Sequence, residues 1–151
     1  MGLYGNFFYL ANPREQNGVS TARGKAPSAT QLAVGSDVMS VPDQFLVRAG
    51  VNMAFNKLVA TAGVRMECVT VKDLIGGDNG FRRPGYVISA EPGLTYAFKK
   101  LNAFATVPIA IERNRTQSVP DKKQTKLTGE YRIGDAAFAD YSVNVGISIK
   151  L

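Results

Sequence analysis

Six ionisable residues stand out by position: Arg48, Arg65, Glu67, Glu91, Glu112 and Asp140. Each lies in a stretch where apolar residues occupy every second place, and each belongs to the other, polar set. Two carboxylates such as Glu91 and Glu112 are the residue types that run glycoside hydrolysis, one as acid and one as base or nucleophile. Arginines sharing a face with carboxylates can instead neutralise one another, or line a path that selects solutes by charge. Only facing direction marks the two glutamates, so charge neutralisation in a narrow interior is the favoured role and no enzyme is expected. The pattern predicts a network in which Arg48 and Arg65 partner Glu67, Glu91 and Glu112.

Other chemistry is excluded by composition. The chain has no His and one Cys, Cys68. That removes zinc sites of ordinary type, the usual triads and dyads, and an internal disulfide. No cofactor is expected. Gly76-Gly77-Asp78-Asn79-Gly80 lacks the Gly-Lys-Ser/Thr ending of a phosphate loop and leads into no helix, so it reads as a turn cluster.

The elements that must position these charges are strands. From Ala137 to Leu151 the residues Ala137, Ala139, Tyr141, Val143, Val145, Ile147, Ile149 and Leu151 alternate with a mostly polar set. Strands in soluble proteins average about 5–6 residues, whereas a tilted strand crossing a bilayer needs about 9–11. The same alternation recurs over Gln44–Phe55 and Leu58–Val69, joined by Asn56-Lys57, and over Gly85–Phe98 and Leu101–Arg113, joined by Lys99-Lys100. Each pair reads as a hairpin. Gly2–Ala11 reads as a further strand. Pro92 and Pro108 fall near one level and predict a shared bulge or bend.

Between these strands the joints alternate in length. Asn12–Pro42, Thr70–Pro84 and Asn114–Gly134 read as long loops, the first with a short strand near Thr30–Ser40. Short turns at one end and long loops at the other are the arrangement of outer-membrane barrels, and a soluble sandwich has no reason for it. The expected fold is therefore all-β: an antiparallel up-and-down transmembrane β-barrel, or a partial barrel, of about six long strands in one domain. No apolar run is long enough for a transmembrane helix, but barrel strands hide their hydrophobicity in alternation.

Charge placement agrees. An Arg or Lys facing lipid at the bilayer centre costs about 2–4 kcal/mol, and the strand charges all fall on the polar set. The net charge of +6 comes largely from loop cations, Arg14, Arg23, Lys25, Arg82, Arg83, Arg115, Lys122, Lys123 and Lys126. Anionic lipopolysaccharide headgroups are a natural neighbour for them. A nucleic-acid binder would interleave aromatics with basic residues on one face, so nucleic acid is not an expected partner.

The order Asn144, Gly146, Ile149, Leu151 at the terminus resembles the C-terminal signal of bacterial outer-membrane β-barrels, although aromatic residues are commoner at its end. That resemblance implies recognition by the outer-membrane assembly machinery and residence in the bacterial outer membrane. Taken with the strands and loops, the chain resembles the C-terminal part of Gram-negative barrels of the kind common in Bacteroidetes. Its last segment also looks like the end of outer-membrane transporters for small, often hydrophobic compounds. The resemblance implies a channel or transporter for small solutes. The alternative is a soluble antiparallel β-barrel binding an apolar ligand in its interior. Single-chain barrels start at about eight strands. Six strands and no visible export signal therefore suggest a fragment of a larger barrel, over two extra strands inside Asn12–Pro42 or closure by oligomerisation.

Overall fold

The computed structural model describes residues 1–135 and 138–149. It is mostly β, with 51% strand and 11% helix, and its main sheet is antiparallel and curled into a half-barrel. In chain order the elements are β1 (Gly2–Leu10), β2 (Gln16–Ser20), α1 (Ala29–Val34), β3 (Val38–Ser40), β4 (Gln44–Phe55), β5 (Leu58–Val69), β6 (Gly85–Ala97), β7 (Leu101–Thr106), β8 (Ile109–Arg115), α2 (Val119–Thr128) and β9 (Asn144–Ile149). The sheet runs β1-β4-β5-β6-β7-β9, with β8 continuing β7 along β6. Its long strands are thus neighbours in the order they occur. The outer edges of β1 and β9 carry no partner strand among the described residues.

The hairpins follow from local chemistry. The β4–β5 ladder runs unbroken from Gln44↔Val69 to Phe55↔Leu58. Asn56 turns it at φ 55, a left-handed conformation that Asn tolerates better than most residues. The expected proline irregularity is present. Pro108 has no N–H to donate, and the strand breaks between Thr106 and Ile109. Val107 N–H still reaches the Pro92 carbonyl at 2.9 Å. Just beyond, the β6–β8 register shifts between Ile88 and Ser89.

The last strand is shorter than the alternation predicted. β9 spans Asn144–Ile149, and Ala137, Lys150 and Leu151 lie outside the described residues. Before it, Tyr141 makes only an isolated bridge to Ile109. Ser142 N–H bonds the Pro108 carbonyl at 3.1 Å and Ala110 N–H bonds the Asp140 carbonyl at 2.9 Å. The chain here tracks the kinked partner without a regular ladder.

The long joints hold more structure than expected. β2 and β3 form a separate two-stranded sheet that does not extend the main one. The short strand expected near Thr30–Ser40 is β3 over Val38–Ser40 alone, with helix α1 over Ala29–Val34, and α2 lies where the sequence predicts loop. Each helix begins at a capping box, in which Ser28 and Gln31, or Ser118 and Asp121, exchange side-chain and backbone bonds. Each ends at a left-handed glycine, Gly35 or Gly129.

Burial is inverted. Val34 and Val87 are the hydrophobic core among the described residues, while Asp43, Arg82 and Glu91 are also buried. The apolar set of the strands is exposed, with Phe7 at 69%, Val64 at 53%, Leu94 at 53% and Ile147 at 68%. Along β6 the residues Gly85, Val87, Ser89 and Glu91 are buried and their even-numbered neighbours are not. The polar face is therefore the concave one.

Candidate functional site

Ladder register assembles the site on the concave face. One cross-strand row reads Tyr4, Gly50, Gly63, Glu91. The next reads Asn6, Arg48, Arg65, Ser89. A Cβ on Gly50 or Gly63 would run into the Tyr4 side chain, so the paired glycines form a trough in which that ring lies. The trough has a second consequence: no side chain from Gly50 or Gly63 stands between Glu91 and the two arginines of the adjoining row.

Arg48 and Arg65 face one another directly across β4 and β5. Like charges so placed repel, and the neighbours supply the compensation. Glu91 Oε1 lies 3.4 Å from an Arg48 Nη and 3.6 Å from an Arg65 Nη. Glu67 accepts from Arg65 at 2.5 Å, and the Asn6 side-chain oxygen accepts from Arg48 Nε at 3.0 Å. The formal charges of the four ionised groups cancel. Hydrogen bonding is incomplete, however. Glu91 is 1% exposed, and both its Oε2 and Arg65 Nε are buried without a hydrogen-bond partner. An unmade bond to a buried polar group costs about 1–3 kcal/mol. Beside the cluster lies a space of about 300 Å³, lined in part by Arg65, Glu67, Ser89 and Asn144.

The structure thus brings together Arg48, Arg65, Glu67 and Glu91. It does not bring Glu112 or Asp140 to them. The register shift after Ile88 sets Glu112 opposite Ile88, on the convex face, where its carboxylate accepts from the Tyr86 hydroxyl at 2.9 Å. Uninterrupted alternation had placed Glu112 inside; the extra residue in the ladder reverses its direction. Glu91 and Glu112 are therefore on opposite faces of the sheet and cannot flank one glycosidic bond. Asp140 precedes β9, is largely exposed and pairs with Arg113.

The terminal positions have local roles. Asn144 opposes Thr106, and Ile149 opposes Leu101 with its side chain exposed. Gly146 lies under the Phe104 ring, which a Cβ would strike. Leu151 falls outside the described residues.

A second charged cluster, at the loop end, was not foreseen. Arg82 is buried and reaches Asp73 with two bonds of 2.8 and 2.9 Å. It also donates to Ser40 Oγ, Gly77 O and Val71 O. Asp43, fully buried, accepts from the Tyr9 hydroxyl and the Asn12 N–H, each at 2.6 Å, and from the Leu74 N–H at 3.0 Å. Burial alone would raise the Asp43 pKa, but these bonds to the carboxylate outweigh it and hold the group below its ordinary range. Arg82 is therefore not one of the loop cations open to anionic headgroups, because this salt bridge buries it. The local signal was weak: an Asp after Pro42, and Asp73 and an Arg-Arg-Pro run within one Gly-rich loop.

No group of His, Cys, Asp and Glu suited to a metal ion occurs among the described residues. No helix of the described residues is long and apolar enough to cross a membrane. No known family, curated protein or solved structure matches the chain.

Proposed function

We propose that the chain is part of a bacterial outer-membrane β-barrel, with its convex face against lipid and its concave face lining a path for small solutes. Its role is transport or channel formation without catalysis. The observation that carries this reading is the inverted burial: an almost continuous apolar surface outside, and Arg48, Arg65, Glu67 and Glu91 inside. Exposed apolar patches beyond about 300–600 Å² mark interaction surfaces. The spread of this one across all the long strands suits a bilayer better than a discrete partner. Segregation of α1, α2 and the β2–β3 ribbon to the end opposite the short turns supports the same reading.

The soluble alternative needs the apolar set to point inward around a ligand. The convex placement of Phe7, Val64, Leu94 and Ile147 speaks against it. In lipid, bare backbone groups along β1 and β9 would cost several kcal/mol each, so the reading requires further strands to close the barrel. Lipopolysaccharide beside the loops, and the assembly machinery acting on the terminal strand through Asn144, Gly146, Ile149 and Leu151, are the partners it implies. Gly146 has a packing reason of its own beneath Phe104.

The test is folding from urea into phosphatidylcholine vesicles. The reading predicts strand-rich, protease-resistant protein in the vesicle fraction, with gel mobility that changes on boiling. A detergent-free, monomeric, folded protein in the aqueous phase would contradict it.

A further inference from the structure

The loop end encloses a recess of about 870 Å³ between the β2–β3 ribbon, α1, α2 and the Phe81–Arg83 segment. Small-molecule pockets span about 300–1,000 Å³, so the recess is solute-sized. Several of its hydroxyls are committed to holding the walls. Thr21 Oγ donates to the Ser36 carbonyl at 2.8 Å, Ser40 Oγ accepts from Arg82, and Ser118 Oγ donates to Asp121 at 2.6 Å. Asp121 is the acid among the lining residues, and it is buried with its Oδ2 also taken by the Ser118 N–H.

Arg82 among the lining cations is committed to Asp73, but the other three are not. Arg23, Arg83 and Arg132 all line the recess, and none of the three forms an ion pair among the described residues. Arg83 lies over the Phe81 ring, 5.5 Å from its centroid, which stacks the guanidinium and leaves its N–H edges available. Guanidinium forks match phosphate oxygens, and a dianionic head balances more of this charge than a carboxylate can. Phe81 supplies an apolar wall for the body of a ligand.

We infer that this recess binds a small phosphate-bearing organic anion, its head on Arg23, Arg83 and Arg132 and its body against Phe81. The phosphate belongs to a soluble ester or to a lipid headgroup, with the same recognition chemistry. The inference stands on the loop end alone and does not depend on the sheet lying in a bilayer.

Calorimetric titration of the full chain in nonionic micelles, with phenyl phosphate as the probe, tests it. Saturable binding is expected, with none for phenol and weaker binding for benzoate. Arg23→Gln and Arg132→Gln should each lower affinity about tenfold, the effect of losing one charge-assisted contact. Both side chains are exposed, so the variants keep the fold, which circular dichroism checks. Lys99→Gln, at the opposite end, should change nothing. Displacement of phenyl phosphate by lipopolysaccharide identifies a headgroup site; failure of displacement identifies a soluble ester, and either supports the recess chemistry. No phenyl phosphate binding, or equal binding by the Arg23→Gln/Arg132→Gln double variant, overturns the inference.

Discussion

Two arginine–carboxylate clusters in this molecule differ in burial and in how fully they are satisfied. At the loop end, Arg82 spends its guanidinium on both Asp73 oxygens, two backbone carbonyls and Ser40. On the concave face, Glu91 draws Arg48 and Arg65 only to 3.4 and 3.6 Å and keeps one oxygen bare. Burying a charge costs several kcal/mol unless its partners compensate. The first cluster meets that condition and works as a structural pin between the β2–β3 ribbon and the loop before β6. The second leaves bonding capacity facing the interior, where water or a passing solute can use it. Completeness of hydrogen bonding, together with burial of both partners, separates the structural charge from the candidate functional one.

The comparison breaks most visibly at Arg82. Arg82→Ala leaves the Asp73 carboxylate buried without its charge partner, held only by the Asp43 N–H and the Thr70 hydroxyl, and should cost about 3–5 kcal/mol, read as loss of protease resistance at the loop end. Arg82→Met with Asp73→Leu should recover much of it. A smaller effect, about 1–3 kcal/mol, is expected from Glu91→Gln, which strips the shared anion from two facing arginines. Its signature is functional: reversal potentials in planar bilayers should shift toward anion preference, whereas Arg82 variants should leave selectivity unchanged in whatever fraction folds. If Glu91→Gln alters stability alone, the two clusters play one role and the distinction falls.

Gly63→Ala should cost about 1–3 kcal/mol by forcing the Tyr4 ring out of its trough. Tyr4→Ala in the same chain should relieve only the ring's share, since the Ala49 carbonyl stays 2.6 Å from the new Cβ, as measured by unfolding midpoints in urea. Acid supplies a further contrast. Because the folded Asp43 carboxyl is held below its ordinary range, it contributes stability above the unfolded carboxylate pKa of about 3.9. That contribution fades as pH falls through the folded value. Asp43→Asn should therefore flatten the acid limb of loop-end stability, followed by proteolysis against pH. The least effect, about 1 kcal/mol, is expected from Ser118→Ala, which removes one capping bond from α2.

Much of the sheet was legible because alternation is a direct imprint of a two-faced strand. Residues 44–55, 58–69 and the short turns at Asn56-Lys57 and Lys99-Lys100 lie where that pattern set them. The paired charges Arg48, Arg65, Glu67 and Glu91 were legible for the same reason. Glu112 was not, since one bulge residue near Ile88 reverses every direction beyond it, and bulges leave little trace in a sequence. The helices were missed although Ser28-x-x-Gln31 and Ser118-x-x-Asp121 advertise their starts; the polar run of α2 hides any apolar stripe. The Asp43, Asp73 and Arg82 cluster depends on two joints converging, Asp43 from the one before β4 and Asp73 with Arg82 from Thr70–Pro84, which no local pattern encodes.

The orientation of the sheet is tested most directly by fluorescence quenching. With Cys68→Ala as background, single cysteines at Val64 and Leu94 on the convex face, and at Thr61 and Thr95 on the concave face, carry a bimane label in vesicles. Doxyl-labelled lipid should quench the first pair and spare the second, while aqueous iodide should do the reverse. Iodide quenching at Val64 and Leu94 with no effect of doxyl lipid would contradict the membrane-facing assignment outright.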